Sequence, residues 1–204
     1  GPGWTARLAH PRGQSLFHLG EKFILTVDPS FQYVLANGGG RGLFNESGAT
    51  TGSGLIRGSA LTGGQDLNGD GDTLDTVLLY APNTTNTRRY GVTSSLIWKF
   101  DDNQSVRVAY TFDEAHHRQT GEYTTFSSDT TPNDVFGGKD GYGTPIKLSD
   151  GSILRKRDRV SVATLNQISA EYRGKFMDDK VLLNVGLRAP FLKRELHNFC
   201  YQAD

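Results

Sequence analysis

The sequence predicts an all-β chain: antiparallel hairpins of a transmembrane β-barrel with long extracellular loops, with a soluble β-sandwich as the alternative. Three observations predict it. Apolar and polar residues alternate with period two through several long stretches. Short turns and long polar connections follow one another in strict alternation. Helical periodicity is poor, because Gly, Thr, Ser, Asn and Asp are spread along the whole chain.

The first long strand is expected at about 22–36. Phe23, Leu25, Val27, Pro29, Phe31, Tyr33 and Leu35 share one face, against Ile24, Thr26, Asp28, Ser30, Gln32 and Val34. One apolar and one mostly polar face mean two different environments. Pro29 lacks a ladder donor and belongs at a bulge or a locally unpaired position. A second strand (about 89–100) carries Tyr90, Val92, Leu96, Trp98 and Phe100 on one face. The turn Asp101-Asp102-Asn103 leads into a third (about 104–113), where Val106, Val108, Tyr110 and Phe112 alternate with polar residues. That is a hairpin. A second hairpin follows at about 164–176 and 181–192 around the turn Met177 to Lys180, with Val181, Leu183, Val185, Leu187, Ala189 and Phe191 on one face.

Two polar, glycine-rich connections separate these strands, about 37–88 and 114–158. Connections longer than about 15 residues are unusual in compact domains. Tight turns at one end and large loops at the other are the arrangement of outer-membrane barrels. Strands of about 10 residues suit a tilted bilayer crossing. Trp98, Phe100 and Phe176 stand beside short turns, where an aromatic girdle would lie.

The bulk composition agrees with either β class. Among 204 residues, 22 Lys+Arg balance 22 Asp+Glu and 36% are hydrophobic. No basic excess points to nucleic acid. No run of about 18 apolar residues exists, which excludes a transmembrane helix but not a barrel, whose strands never make one. The lone Cys200 has no disulfide partner within the chain.

Three stretches resemble TonB-dependent outer-membrane receptors: DPSFQYVLANGGG (28–40), RRYGVTSSLIWKFDDNQSVRVAYTFDEAHHRQTGEY (88–123) and LNQISAEYRGKFMDDKVLLNVGLRAPFLKRELHNFCYQ (165–202). GLRAPF (186–191) is the most specific part, and DLNGDGDTLDTVLLY resembles a loop segment of such receptors. The resemblance implies residence in the bacterial outer membrane and a barrel closed by a plug domain. It implies uptake of a siderophore–iron complex, cobalamin or a carbohydrate, energised through TonB. It implies contact with outer-membrane lipid and lipopolysaccharide. Residues 1–204 are then expected to be a partial barrel segment, with the transport function belonging to the parent chain. No plug domain and no TonB box are seen in the sequence. The rival function is a secreted calcium-binding β-sandwich for adhesion or carbohydrate binding.

Two sets of candidate site residues stand out. DLNGDGDTLD (66–75) offers oxygen ligands at Asp66, Asn68, Asp70, Asp72 and Asp75. The first four, with Gly71, match positions 1, 3, 5, 7 and 6 of a calcium loop, whose twelfth position is a bidentate Glu. Here that position is Val77, and Asp75 is the expected substitute, for a weak Ca2+ site. The second set is Arg107, Glu171, Arg173 and Arg188, expected on the lumen-facing side beside ligand or plug. No organic cofactor and no enzyme activity are expected, since G-x-S-x-G, H-E-x-x-H and a phosphate loop are all missing. His116 and His117 are adjacent in a strand and face opposite ways, so they do not chelate one metal. They are expected at a strand end. Arg155-Lys156-Arg157-Asp158-Arg159 is expected as a solvated loop base, with lipopolysaccharide phosphate as its other possible contact. Gly38 to Gly42 is expected as flexible loop.

Overall fold

The computed structural model describes residues 5–47, 64–127, 130–139, 144–147, 151 and 153–199; Cys200 and the chain ends lie outside them. Among the described residues there is no helix. The strands are β1 (Thr5–Ala9), β2 (Leu16–Leu19), β3 (Phe23–Asn37), β4 (Gly40–Asn45), β5 (Thr76–Ala81), β6 (Thr84–Lys99), β7 (Gln104–Glu122), β8 (Arg155–Phe176) and β9 (Val181–Asn198). All described pairings are antiparallel. The large sheet runs β1-β3-β6-β7-β8-β9 with β2 also on β3, and β4 pairs β5 separately.

The strands outrun the alternating apolar stretches. β7 continues to Glu122 and β8 begins at Arg155, so residues expected in the second loop are strand. In these extensions polar residues occupy both faces, and ladder pairing such as Thr120 with Asp158 holds the backbone extended without an apolar stripe. His116 and His117 thus lie inside β7, not at its end. Gly40 to Gly42 belong to β4 rather than to a flexible loop. Gly39, beside it, is held by close approach: a Cβ there would stand 2.5 Å from the Ala81 carbonyl oxygen.

β1 and β2 are two halves of one edge strand that keeps a single register, with Ala9 opposite Tyr33, Arg12 opposite Ser30 and Leu16 opposite Thr26. The break between them faces Pro29. Residues 27, 29 and 31 turn their polar backbone groups toward this edge, as Gly13 N–H donates to the Pro29 carbonyl and Phe31 N–H to the Pro11 carbonyl. Pro29 has no N–H to return, and its ring stands 3.1 Å from where a Cβ on Gly13 would lie. The missing donor therefore interrupts the edge strand, while β3 pairs with β6 without a break.

Register places like residues side by side across five strands. Phe23, Trp98, Val106, Tyr172 and Val185 form one transverse row; Leu25, Leu96, Val108, Ala170 and Leu187 the next. Val27, Ser94, Tyr110, Ile168 and Ala189 follow, then Pro29, Val92, Phe112, Asn166 and Phe191. No charged side chain interrupts these four rows. The polar members find partners: Tyr110 Oη donates to Asn166 Oδ1 at 2.6 Å, and Ser94 Oγ to the Thr26 backbone carbonyl at 3.0 Å. The opposite face carries Thr26 hydrogen-bonded to Ser95, the Arg89–Asp113 pair, and Arg107 beside Glu171.

Where, then, is the hydrophobic core? It lies in the long connections. Phe44, Leu67, Leu79, Tyr123, Ile146 and Leu154 form a buried cluster, with Phe44 and Tyr123 edge to face at 4.9 Å. Tyr80 and Thr124 exchange backbone hydrogen bonds, joining the two connections. The apolar rows of the large sheet, by contrast, have no second layer over them among the described residues. Leu187 is 79% exposed, Phe191 61% and Ile168 54%.

Candidate functional site

The acidic loop hangs from the β4–β5 hairpin. Its side chains fold it locally: Asp66 accepts the Gly69 N–H at 2.6 Å and the Gly71 N–H at 2.9 Å, and Asp70 and Asp72 each accept the N–H two residues on. Gly69 (φ 85°) and Gly71 (φ 101°) occupy the left-handed region that glycine alone enters freely. Asn68 Nδ2 donates to Asp70 Oδ2 and Asp75 Oδ2 at 2.9 and 3.1 Å, drawing the two carboxyls together. The Asp72 backbone N–H and the Asn68 side chain hold Asp70 below the ordinary carboxylate value. The hydrogen bond shared with Asp70 pushes Asp75 above it.

One acidic side chain reaches the loop from outside the stretch read in the sequence. Glu46, at the end of β4, is fully buried and turns its carboxylate under the loop. It accepts backbone N–H groups from Leu67 (2.6 Å), Asn68 (3.2 Å) and Asp75 (3.3 Å). Carboxylate oxygens of Glu46, Asp72 and Asp75 lie within 4.8 Å of one another. Asp66 accepts backbone N–H groups of the loop, and Asn68 and Asp70 hydrogen-bond each other beside that threesome. Glu46 stands 20 positions before Asp66, too far for a motif to flag. A charged residue closing an alternating stretch was the only signal it offered.

The lumen candidates fall on one face. Arg107 lies directly opposite Glu171, and Arg173 hydrogen-bonds Glu171 from two positions along β8. Arg188 lies opposite Ser169 on β9. Arg107, Glu171 and Arg188 line a hollow of about 580 Å3 with Thr93, Thr111 and Gln167. Arg173 is on the same face but outside that hollow. With one carboxylate among three guanidiniums, the group favours an anionic or hydroxyl-rich contact.

The basic cluster at the start of β8 is used inside the fold. Arg155 and Arg118 both hold Asp158 (2.7 and 2.8 Å), Arg157 donates to Asn83 Oδ1 and Arg159 to Gln119. Lys156 donates to the Ala81 carbonyl, and burial pushes its ammonium below the ordinary value. Asp113 and Glu114, adjacent carboxylates, face opposite ways: Asp113 holds Arg89, Glu114 holds His116. His117 takes Thr87 as partner. Neither Asp113 with Glu114 nor His116 with His117 converges on one point.

No protein-family model, curated protein or solved structure matches the chain.

Proposed function

We propose that this chain is a section of the barrel wall of an outer-membrane TonB-dependent receptor. The single observation that carries the reading is the charge-free apolar face of the large sheet, bounded by aromatic residues and covered by nothing among the described residues. On β9 that face runs from Val181 to Phe191. At about 3.3 Å per residue this is about 33 Å of strand, and at a tilt of about 40° it stands about 25 Å tall, the height of an outer-membrane apolar band. Phe23 stacked on Trp98 (5.9 Å), with Phe100 against Trp98, edges it at the short-turn end; Phe31 with Tyr90 (5.2 Å) edges it at the other.

The upper limit of the apolar face also steps down the register. It reaches Leu35 on β3, Tyr90 on β6 and Phe112 on β7, although Leu35 pairs with Asn86 and Tyr90 with Glu114. A level membrane surface crossing tilted strands produces such a staircase. Within the band, the Tyr110 hydroxyl donates to Asn166 Oδ1, an internal partner of the kind polar groups in lipid require.

In this reading the short turns are periplasmic and the packed connections extracellular. The hollow at Arg107, Glu171 and Arg188 faces the lumen, toward the plug or the passing nutrient of the parent receptor, in the class of a siderophore–iron complex, cobalamin or carbohydrate. A calcium ion orders the acidic loop, with Glu46 supplying the carboxylate that Val77 does not.

Bromine-labelled acyl chains test the membrane assignment. In a Trp4→Phe background, Trp98 fluorescence in reconstituted bilayers should be quenched by bromines placed near the interface. A chain that stays monomeric in buffer without detergent, with Trp98 unquenched, overturns the reading in favour of a secreted β-sandwich.

A further inference from the structure

Asparagine followed by glycine is open to a reaction of the chain with itself. Glycine has no side chain to shield its backbone nitrogen, which can reach the asparagine Cγ and close a succinimide ring. The chain contains two such pairs, Asn37-Gly38 and Asn68-Gly69. The fold treats them differently. Asn37 is 2% exposed at the end of β3. Its Oδ1 accepts the N–H groups of Gly39 (2.8 Å) and Asn83 (2.9 Å), and its Nδ2 donates to Tyr80 Oη. The Gly38 N–H is itself engaged with the Asn83 carbonyl. That amide is fixed by its partners and shut off from water.

Asn68 and Gly69 are exposed on the acidic loop. Each reacting atom there has a partner suited to its part. The Gly69 nitrogen, the nucleophile, donates its N–H to Asp66 Oδ1 at 2.6 Å. Asn68 Oδ1, which takes up negative charge as the nitrogen adds to Cγ, accepts the Asp70 N–H at 2.9 Å. Asn68 Nδ2, the leaving group, lies against the Asp70 and Asp75 carboxyls at 2.9 and 3.1 Å. Apart from its neighbours in sequence, no heavy atom stands within 4 Å of where a Cβ on Gly69 would lie. A ring and an incoming water have room.

We propose that Asn68 is a self-modification site, at which the chain converts its own side-chain amide to a carboxylate with water as the only other reactant. The Gly69 nitrogen bonds to Asn68 Cγ and passes its proton to Asp66. The Cγ–Nδ2 bond then breaks, a proton goes to the departing nitrogen, and ammonia leaves. Water opens the succinimide. Cleavage of the ring at Cγ gives aspartate; cleavage at the Asn68 backbone carbonyl carbon gives isoaspartate. No electron is gained or lost. The Asp66 carboxylate acts as general base on the nucleophile, and the Asp70 N–H stabilises the oxyanion. The product changes the loop, because Asn68 Nδ2 is the donor that draws Asp70 and Asp75 together. A carboxylate in its place repels both. The inference needs neither the membrane reading nor a bound ion.

Peptide mapping by mass spectrometry, with fragmentation that separates aspartate from isoaspartate, follows both asparagines in the full chain kept folded at neutral pH. Asn68 should convert about tenfold or more faster than Asn37. It should also convert about tenfold or more faster folded than in the same chain unfolded in urea, where only the dipeptide remains. Asp66→Asn keeps an acceptor oxygen but no base, and should bring the folded rate down toward the unfolded one. Equal conversion of Asn37 and Asn68 in the folded chain overturns the proposal. So does an Asn68 that converts no faster folded than unfolded, or an undiminished rate in Asp66→Asn.

Discussion

Glu46 Oε1 accepts the backbone N–H of Leu67 at 2.6 Å, joining the end of β4 to an acidic loop 21 positions later. The buried carboxylate organises the loop from beneath, and the same group stands beside Asp72 and Asp75. One side chain therefore supports the loop backbone and completes the anionic cluster.

Glu46→Ala should open the loop locally. It leaves the N–H groups of Leu67, Asn68 and Asp75 without their acceptor, at about 1–3 kcal/mol for a buried donor. Hydrogen exchange at Leu67 should accelerate about tenfold or more, while amides in β6 to β8 keep their protection. Glu46→Gln, which retains a carbonyl oxygen, should fall between. Unchanged exchange at Leu67 would remove Glu46 from this role.

On the calcium proposal, affinity for the ion should fall with acidification. The hydrogen bond to Asp70 raises Asp75 above its ordinary value of 3.8, so Asp75 takes up its proton earlier than a free Asp as pH drops. The ion must displace that proton, and binding therefore releases protons at acid pH. Calorimetry from about pH 7 down to about pH 4.5 should show a falling affinity and a buffer-dependent heat. Asp75→Asn should abolish the Asp75 part of both. An affinity flat across this range contradicts the assignment of Asp75 as a ligand.

Arginine scanning should separate the two faces of β7. Val108 sits amid the apolar rows and Ala109 on the polar face. In bilayers, Val108→Arg should cost about 2–4 kcal/mol, the price of a charge near the membrane midplane. Ala109→Arg should change stability little. Denaturant titration of both variants in the same lipid measures the difference, and equal effects would deny the faces different environments.

Relief of backbone strain should stabilise the β8–β9 turn. Met177 (φ 57°), Asp178 (φ 55°) and Asp179 (φ 65°) all occupy the left-handed region without being glycine. Asp178→Gly should raise stability by about 0.5–1 kcal/mol, since glycine enters that region without a Cβ clash. Denaturation midpoints of the variant and the parent chain check it. A lower midpoint would mean that Asp178 contributes through its side chain more than its conformation costs.

Strand identity was legible wherever one face is apolar, because period two is a local property of neighbouring side chains. Phe23 to Leu35 and Val181 to Phe191 announce themselves in this way. The extensions of β7 and β8 do not: Thr120 and Arg159 sit among polar residues on both faces, and only the partner strand makes them strand. The edge strand at residues 5–19 was also hidden, since its middle, opposite Pro29, carries the Pro and Gly that signal loop.

By itself the sequence determined the all-β class, the two-faced strands, the alternation of short and long connections and the acidic loop. Each is written in neighbouring residues. The tertiary structure decided what depends on register and distant contact. It aligned five strands into charge-free rows and brought Glu46 beneath a loop 20 positions away. It gave the cations of Arg155 to Arg159 partners within the fold. Spacing along a chain reports which side of a strand a residue takes; which strand lies beside it is set by pairing across tens of residues.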